Sequence, residues 1–362
     1  MQINRRKILS GVMSGGITAM TTRRVQGGTL YPSTQRITTI KYGDRAVKQK
    51  EVPTQWWRQL VHTRNVRKTL EENYRNRNAV KDVCIGSAAS EIEGRKRPSL
   101  VVAIDSSEPD IPNLSDSVEG VPVTTQEWIP PEPDTGACNN NCNEYDPAPG
   151  GVRVEATDFE DFPGTSCCPA RDSDNNPGLI TCAHLWSCSS SNLLNRELLQ
   201  GSSSDTWEEL NSVGEIRKWS RGDDFVFADS TTTASDINIR DDINFSGREV
   251  RGYVTENGLE EMKSTSGSDN VKKFGINTGL DTGGSIIKTK KSIEICEGEG
   301  HDFVEIDLPT LNGDSGGPYF KTYFDEFTNQ YYDAVIAIHY GRESDGSAAY
   351  NIANDFSIQF GL

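Results

Sequence analysis

The stretch Gly313-Asp314-Ser315-Gly316-Gly317-Pro318 decides how the chain is read. Glycines on either side of Ser315 let the backbone turn tightly and carry the hydroxyl into the open. In such a turn the N–H groups of Gly313 and Ser315 can point at one spot beside that hydroxyl, which is what a tetrahedral oxyanion needs. A Gly-rich surface turn with an incidental serine is the competing reading. It loses ground to a partner motif upstream.

That motif is Leu179-Ile180-Thr181-Cys182-Ala183-His184, an apolar run that ends in a histidine. It reads as a buried strand delivering an imidazole at its end. A serine hydroxyl is a weak nucleophile until a base takes its proton. The imidazole in turn needs a carboxylate to hold its tautomer. Gly222-Asp223-Asp224-Phe225-Val226-Phe227-Ala228 offers two, each entering a second apolar strand. Of the other histidines, His62 lies in a basic region far upstream, and His301 sits in a Gly- and Glu-rich loop. His339 falls in the strand Val335-Ile336-Ala337-Ile338-His339-Tyr340-Gly341.

Taken together, Thr181-Cys182-Ala183-His184, Asp224-Phe225-Val226 and the Ser315 hexapeptide resemble the chymotrypsin/trypsin-like serine peptidases. Phe274-Gly275-Ile276-Asn277-Thr278-Gly279-Leu280-Asp281-Thr282-Gly283 resembles the GxTTGLTTG stretch of microbial members, and the His339 strand resembles the one lining their substrate cleft. The likeness runs from about Pro147 to the C-terminus. It implies an all-β fold of two Greek-key β-barrels of the chymotrypsin type, with the site in the cleft between them.

By the same resemblance His184 is the general base, Ser315 the nucleophile, and Gly313 and Ser315 the oxyanion hole. Asp224 is favoured over Asp223 as the third member. The order His, Asp, Ser matches the family's, which is a comparison and not a derivation. The activity implied is hydrolysis of peptide bonds through an acyl-enzyme, on a protein or peptide substrate. Pro309 stands where trypsins carry the aspartate that reads Lys or Arg, so that specificity is not expected. Thr310, His339 and Gly341 become the substrate pocket; the first two resemble the pair that reads an acidic side chain in glutamyl endopeptidases. A small pocket with an incidental strand histidine is the alternative.

Eight cysteines are present, and an even number suits disulfides in an exported chain. In many relatives a disulfide pins the histidine loop through a cysteine directly after the histidine. Leu185 occupies that place here, so the expectation is that Cys182 and Cys188 each join one of Cys167 and Cys168. A zinc site built from those thiols and His184 is the competing reading, and it would consume the imidazole. Otherwise no metal or cofactor is called for.

Charge divides the chain. Residues 1–100 hold 20 Lys and Arg against 7 Asp and Glu, a balance of +13; residues 101–146 hold 10 acids and no bases; residues 147–362 hold 17 bases against 36 acids, −19. Such an acidic body argues against nucleic acid as a partner, and the basic head shows no nucleic-acid-binding motif. It also suggests a salt-rich source, since salt screens self-repulsion. No segment is apolar enough to span a membrane. Arg5-Arg6 before a short apolar stretch looks like a Tat export signal. The expected organisation is a leader and spacer over 1–29, a basic α+β segment over 30–125, a Pro/Gly/Cys linker over 126–150, and the peptidase-like part over 151–362.

Within the basic segment Trp57, Leu60, Val61, Val66, Leu70 and Tyr74 fall at helical spacing, followed by strands over 80–85 and 100–104. Its charge suggests a prosegment docked on the acidic body, with a permanent accessory domain as the alternative. Residues 193–199 read as a short helix. Secretion to the extracellular space follows from the leader. A catalytically silent fold acting as a protein-binding module is the second functional reading. A nonproteolytic acyl hydrolase is disfavoured by the absence of a Gly-x-Ser-x-Gly elbow.

Overall fold

Helix α1 spans Thr54–Tyr74 and follows Pro53. Trp56, Leu60, Thr63, Val66 and Leu70 recur every three or four residues and form its buried stripe. The stripe passes through Trp56, with Trp57 only partly buried and Val61 39% exposed. The helix covers an antiparallel hairpin, Val80–Ile92 with Arg95–Ile104, turned at Glu93 (φ 51°) and Gly94 (φ 78°). Val66, Leu70, Val83, Ile85 and Leu100 close a small core there. Each such side chain contributes about 1.5–3 kcal/mol on burial.

The computed structural model describes residues 33–362 except 131–137, 158–162, 202–209, 233–234, 236, 245, 266–269, 296–297 and 342–343. The Tat-like leader, Pro131 and Pro133 of the linker, and Cys296 therefore lie outside the described residues. No helix among the described residues is long and apolar enough to cross a membrane.

The architecture is mostly β, two large sheets with a small α+β region before them, as the fold class expected. An eight-stranded sheet holds Pro177–Thr181 and Phe225–Asp229 at its centre. A fourteen-stranded sheet holds Pro318–Asp325 and Gln330–Tyr340. One apolar core runs through both, including Leu179, Phe227, Phe274, Tyr319 and Ile336.

The N-terminal strands belong to the larger sheet. Thr34–Tyr42 pairs antiparallel with Val250–Val254, and Ile85 pairs with Thr289 on the strand Ile286–Ile295. Basic side chains of this region meet acids of the body: Lys50 and Arg95 on Glu261 at 2.8 and 3.2 Å, Arg64 on Glu256 at 3.1 Å, and Arg45 on Asp325 at 3.3 Å.

Two local departures have plain causes. The helix expected over 193–199 is absent: Asn195 takes φ 63°, and Glu197–Gln200 is a strand paired with Asn211–Ser220. Conversely, Glu256–Ser264 is helix α2, capped by the Thr255 hydroxyl accepting from Gly258 N at 3.1 Å. A third helix, α3, spans Ala349–Phe356 near the C-terminus.

Candidate active site

Register brings the histidine and the aspartate together. Pro177–Thr181 runs antiparallel to Phe225–Asp229 with Thr181 opposite Val226. Residues just past the end of the first strand therefore lie beside residues just before the start of the second. His184 sits in the 3-10 turn Ala183–Leu185, and Asp224 turns at φ 43°. Asp224 Oδ2 lies 2.7 Å from His184 Nδ1, and Oδ1 accepts from the N–H groups of His184 at 2.9 Å and Ala183 at 3.1 Å. Both oxygens are thus committed to the histidine turn, and the carboxylate is buried.

Asp223 is turned elsewhere. It accepts from the Ser220 hydroxyl at 2.7 Å and from Asn351 Nδ2 at 2.5 Å, and burial raises its carboxyl above the usual range.

Burial by itself would disfavour the imidazolium of His184. The Asp224 charge and the neighbouring Cys182 outweigh it, so the imidazole holds its proton well above the usual histidine range. Sequence reasoning missed a clamp on this turn: Arg221 Nη1 donates to Ala183 O and to Trp186 O at 3.0 Å, and Nη2 donates to Ser187 O at 2.7 Å. An arginine three residues before an acid carries no motif of its own.

Ser315 arrives from the other sheet. Its loop is stitched to the Thr165 segment: Thr165 N donates to Ser315 O at 2.7 Å, and the Thr165 hydroxyl to Gly313 O at 2.8 Å. Gly316, at φ 87°, packs so tightly that an added Cβ would collide with Thr165 O and Thr181 Oγ1, and would lie 3.2 Å from Cys182 N. The serine loop therefore abuts the strand that delivers His184. From the other side, Gly316 N donates to His339 O at 2.9 Å and His339 N to Gly317 O at 2.8 Å.

The N–H groups of the loop divide into two sets. Those of Asp314, Gly316 and Gly317 are hydrogen-bonded within the protein, to Leu311 O, His339 O and Asp314 O. Those of Gly313 and Ser315 have no acceptor among the described residues. The Ser315 hydroxyl is buried and likewise has no hydrogen-bond partner among the described residues. His184 Nε2 is instead met by the Cys182 thiol, at 3.7 Å. The Tyr340 ring meets the imidazole edge-on, with centroids 4.9 Å apart.

Beneath the loop lies an ion pair that the sequence did not announce. Lys273 Nζ donates to Asp314 Oδ2 at 2.6 Å and to Pro309 O at 2.9 Å, with both charged side chains fully buried. Asp314 also accepts from the N–H groups of Asn277, Thr278 and Leu311 at 3.0, 3.1 and 3.1 Å. Burial alone would raise the Asp314 carboxyl; Lys273 and these donors hold it below the usual range. A Cβ at Gly275 would strike the carboxylate, which is why the Phe274-Gly275 step needs glycine.

Of the expected pocket residues, His339 is fully buried, with Nδ1 2.9 Å from the Tyr319 hydroxyl and 3.2 Å from Asp345 O. Thr310 is half-buried beside Pro309, and Gly341 turns at φ 63° just past the strand end.

The cysteine expectation is overturned. Cys167, Cys168 and Cys182 are buried free thiols, and Cys188 is disulfide-bonded, so its partner is none of these three. Neighbouring Cys167 and Cys168 hydrogen-bond to each other, and Cys182 faces the imidazole, so these side chains do not converge. Cys138 and Cys142 form a bridge of their own. The loop between them is fastened at Asn139 N and Asn140 Nδ2 to Ile276 O and Asn277 O, at 3.0 and 2.8 Å.

No protein-family model and no curated protein sequence matches the chain. Similar solved structures include Nocardiopsis protease NAPase (16% identity, TM-score 0.42, covering 59% of this chain and 98% of that one) and Thermobifida fusca protease A (16%, 0.39, 59% and 98%). Another is a glutamic acid specific serine protease described as using a histidine triad in substrate binding (13%, 0.41, 59% and 100%). At such identities and TM-scores the chemistry must be read from this chain's own side chains.

Proposed function

We propose that the chain is a serine endopeptidase working through His184, Asp224 and Ser315. The observation that carries this reading is the selective freedom of two donors. Gly313 N and Ser315 N lack acceptors, whereas the N–H groups between and after them are all engaged. These two flank a buried hydroxyl on the same seam as a carboxylate-bound imidazole. Unpaired donors are costly in a buried loop, and a developing oxyanion supplies the missing acceptor.

In the proposed reaction Ser315 Oγ attacks the scissile carbonyl while His184 Nε2 takes its proton. Asp224 keeps the other nitrogen protonated and the ring oriented. The oxyanion is held by Gly313 N and Ser315 N. His184 returns the proton to the leaving amine, and water repeats the sequence on the acyl-enzyme. The hydroxyl and Nε2 need to form a hydrogen bond, a contact that often tightens only when substrate binds.

Thr310 and His339 are proposed to favour an acidic residue before the scissile bond, since a hydroxyl and an imidazole both bond a carboxylate. Cleavage profiles of wild type and His339→Ala on a peptide library test this, and identical profiles refute it. The N-terminal region, held by strand pairing and ion pairs, is proposed to be a prosegment that assists folding or covers the cleft. A fragment of residues 147–362 that folds and cleaves as well as the full chain removes that role. Export to the extracellular space is proposed with it.

One observation favours a second reading, a silent binding module: Ser315 Oγ does not bond His184 in this structure. A fluorophosphonate probe separates the two. Labelling of Ser315 after removal of the N-terminal region supports the peptidase, and its absence supports the binding module.

A further inference from the structure

The Cys182 thiol has no part in the proposed acyl transfer, yet its sulfur lies 3.7 Å from His184 Nε2. Cys182, His184 and Asp224 each bring one ligand-type atom within 4.8 Å of the others. Zinc binds thiolate sulfur at about 2.3 Å and imidazole nitrogen at about 2.0–2.1 Å in tetrahedral geometry. Those lengths at a tetrahedral angle separate sulfur from nitrogen by about 3.6 Å. The observed separation is 3.7 Å. The separation of the pair is therefore that of two ligands sharing one ion.

The rest of the surroundings suit the same ion. Asp224 accepts from Nδ1, and a carboxylate on the far nitrogen is the usual support for a metal-bound histidine. Once Nε2 has given its proton to solvent, that contact fixes the tautomer in which Nε2 presents a lone pair. The charges also balance: loss of the thiol proton to solvent leaves a thiolate that, with the Asp224 carboxylate, offsets a divalent cation. Sulfur and nitrogen donors together select a soft or borderline ion over calcium or magnesium. Remaining positions fall to water or to the Ser315 hydroxyl, which has no other partner among the described residues. Burial does not bar entry, because any opening that admits a peptide carbonyl to Ser315 admits a small hydrated ion.

We propose that Cys182 and His184 Nε2 form an inhibitory site for zinc or a similar thiophilic divalent cation. The inference rests on the role proposed for His184. An ion on Nε2 occupies the lone pair that must take the Ser315 proton, so the bound enzyme is silent until the ion leaves.

The test uses cobalt as a spectroscopic stand-in on the full chain carrying Ser315→Ala, which prevents self-cleavage. A thiolate-to-cobalt charge-transfer band, lost on adding Cys182→Ala and kept on adding Cys84→Ala, supports the site; Cys84 is another buried free thiol. No band, or one that survives Cys182→Ala, overturns it. Cys182→Ser serves if the alanine variant does not fold.

The second arm measures fluorophosphonate labelling of Ser315 with and without zinc. Zinc should suppress labelling reversibly, with chelator restoring it. Cys182→Ala should raise the half-inhibitory concentration by more than the roughly 10–100-fold typical of losing a supporting partner. Equal zinc sensitivity in both proteins refutes the inhibition. If Ser315 labels under no condition, the peptidase reading falls, and the cobalt band still decides the metal site.

Discussion

Replacing Lys273 by methionine keeps the length of the side chain and removes its charge from beneath the serine loop. The buried Asp314 carboxylate then loses the one ion-pair partner it has among the described residues but keeps three backbone donors, from Asn277, Thr278 and Leu311. Breaking a buried pair from one side typically costs about 3–5 kcal/mol. The surviving donors place Lys273→Met at the lower end, about 3 kcal/mol. Asp314→Asn leaves an ammonium in the same fully buried space and should cost more, towards about 5 kcal/mol. Lys273→Met/Asp314→Asn removes both charges and should be more stable than either single variant, which on these figures is a coupling above about 5 kcal/mol.

Thermal unfolding in a Ser315→Ala background reads these differences without self-digestion. At about 2–4 °C per kcal/mol for domains of 150–250 residues, Lys273→Met should melt roughly 6–12 °C lower. The pH dependence supplies a sign check. Asp314 is held below its ordinary value in the folded state, so its contribution is present above about pH 4 and is lost as pH falls through the lower folded value. The gap between wild type and Lys273→Met should therefore narrow in acid. A change under about 1 kcal/mol, additive behaviour in the double variant, or a gap that is constant with pH would each refute the reasoning.

Asp224→Asn should reduce kcat/KM by about 10⁴-fold. It should also move the acidic limb of the pH profile to lower pH, because Asp224 is what keeps His184 protonated against burial; an unmoved limb refutes the assignment. Arg221→Ala unties the turn holding His184 at three carbonyls, and should lower kcat more than it raises KM; unchanged kinetics would remove Arg221 from the account. Asp82 sits at the seam with Ser292, accepting from its N–H at 2.9 Å, and burial pushes its carboxyl up to about 7. A raised folded value means its contribution is complete below about pH 4, falls away as pH rises to about 7, and is flat beyond. Asp82→Asn should accordingly flatten the loss of melting temperature between pH 5 and about 8, and an unchanged slope refutes the seam's sensitivity.

Much of the site is local and legible in the chain itself. Glycines around Ser315 dictate a tight turn, and apolar runs ending in His184 and beginning after Asp224 dictate strands, because turn chemistry and alternation act over a few residues. The stripe on α1 was readable for the same reason, although its face passes through Trp56 and not Trp57. The helix expected over 193–199 failed because pairing with Asn211–Ser220 overrode a weak local preference.

What the linear order could not decide is which neighbours meet across long separations. Asp224 and not Asp223 reaches the ring because the strand register and a left-handed turn aim one carboxylate at His184 and the other at Asn351. Lys273 and Asp314 are 41 residues apart, and only the packing of two sheets buries them together. The thiol at 182 reads as a disulfide candidate in the chain and as a companion of the imidazole in space. Residue type supplies the chemistry available at each position; the tertiary arrangement chooses which of those chemistries share one small volume, because contact energies act over a few ångströms regardless of distance along the backbone.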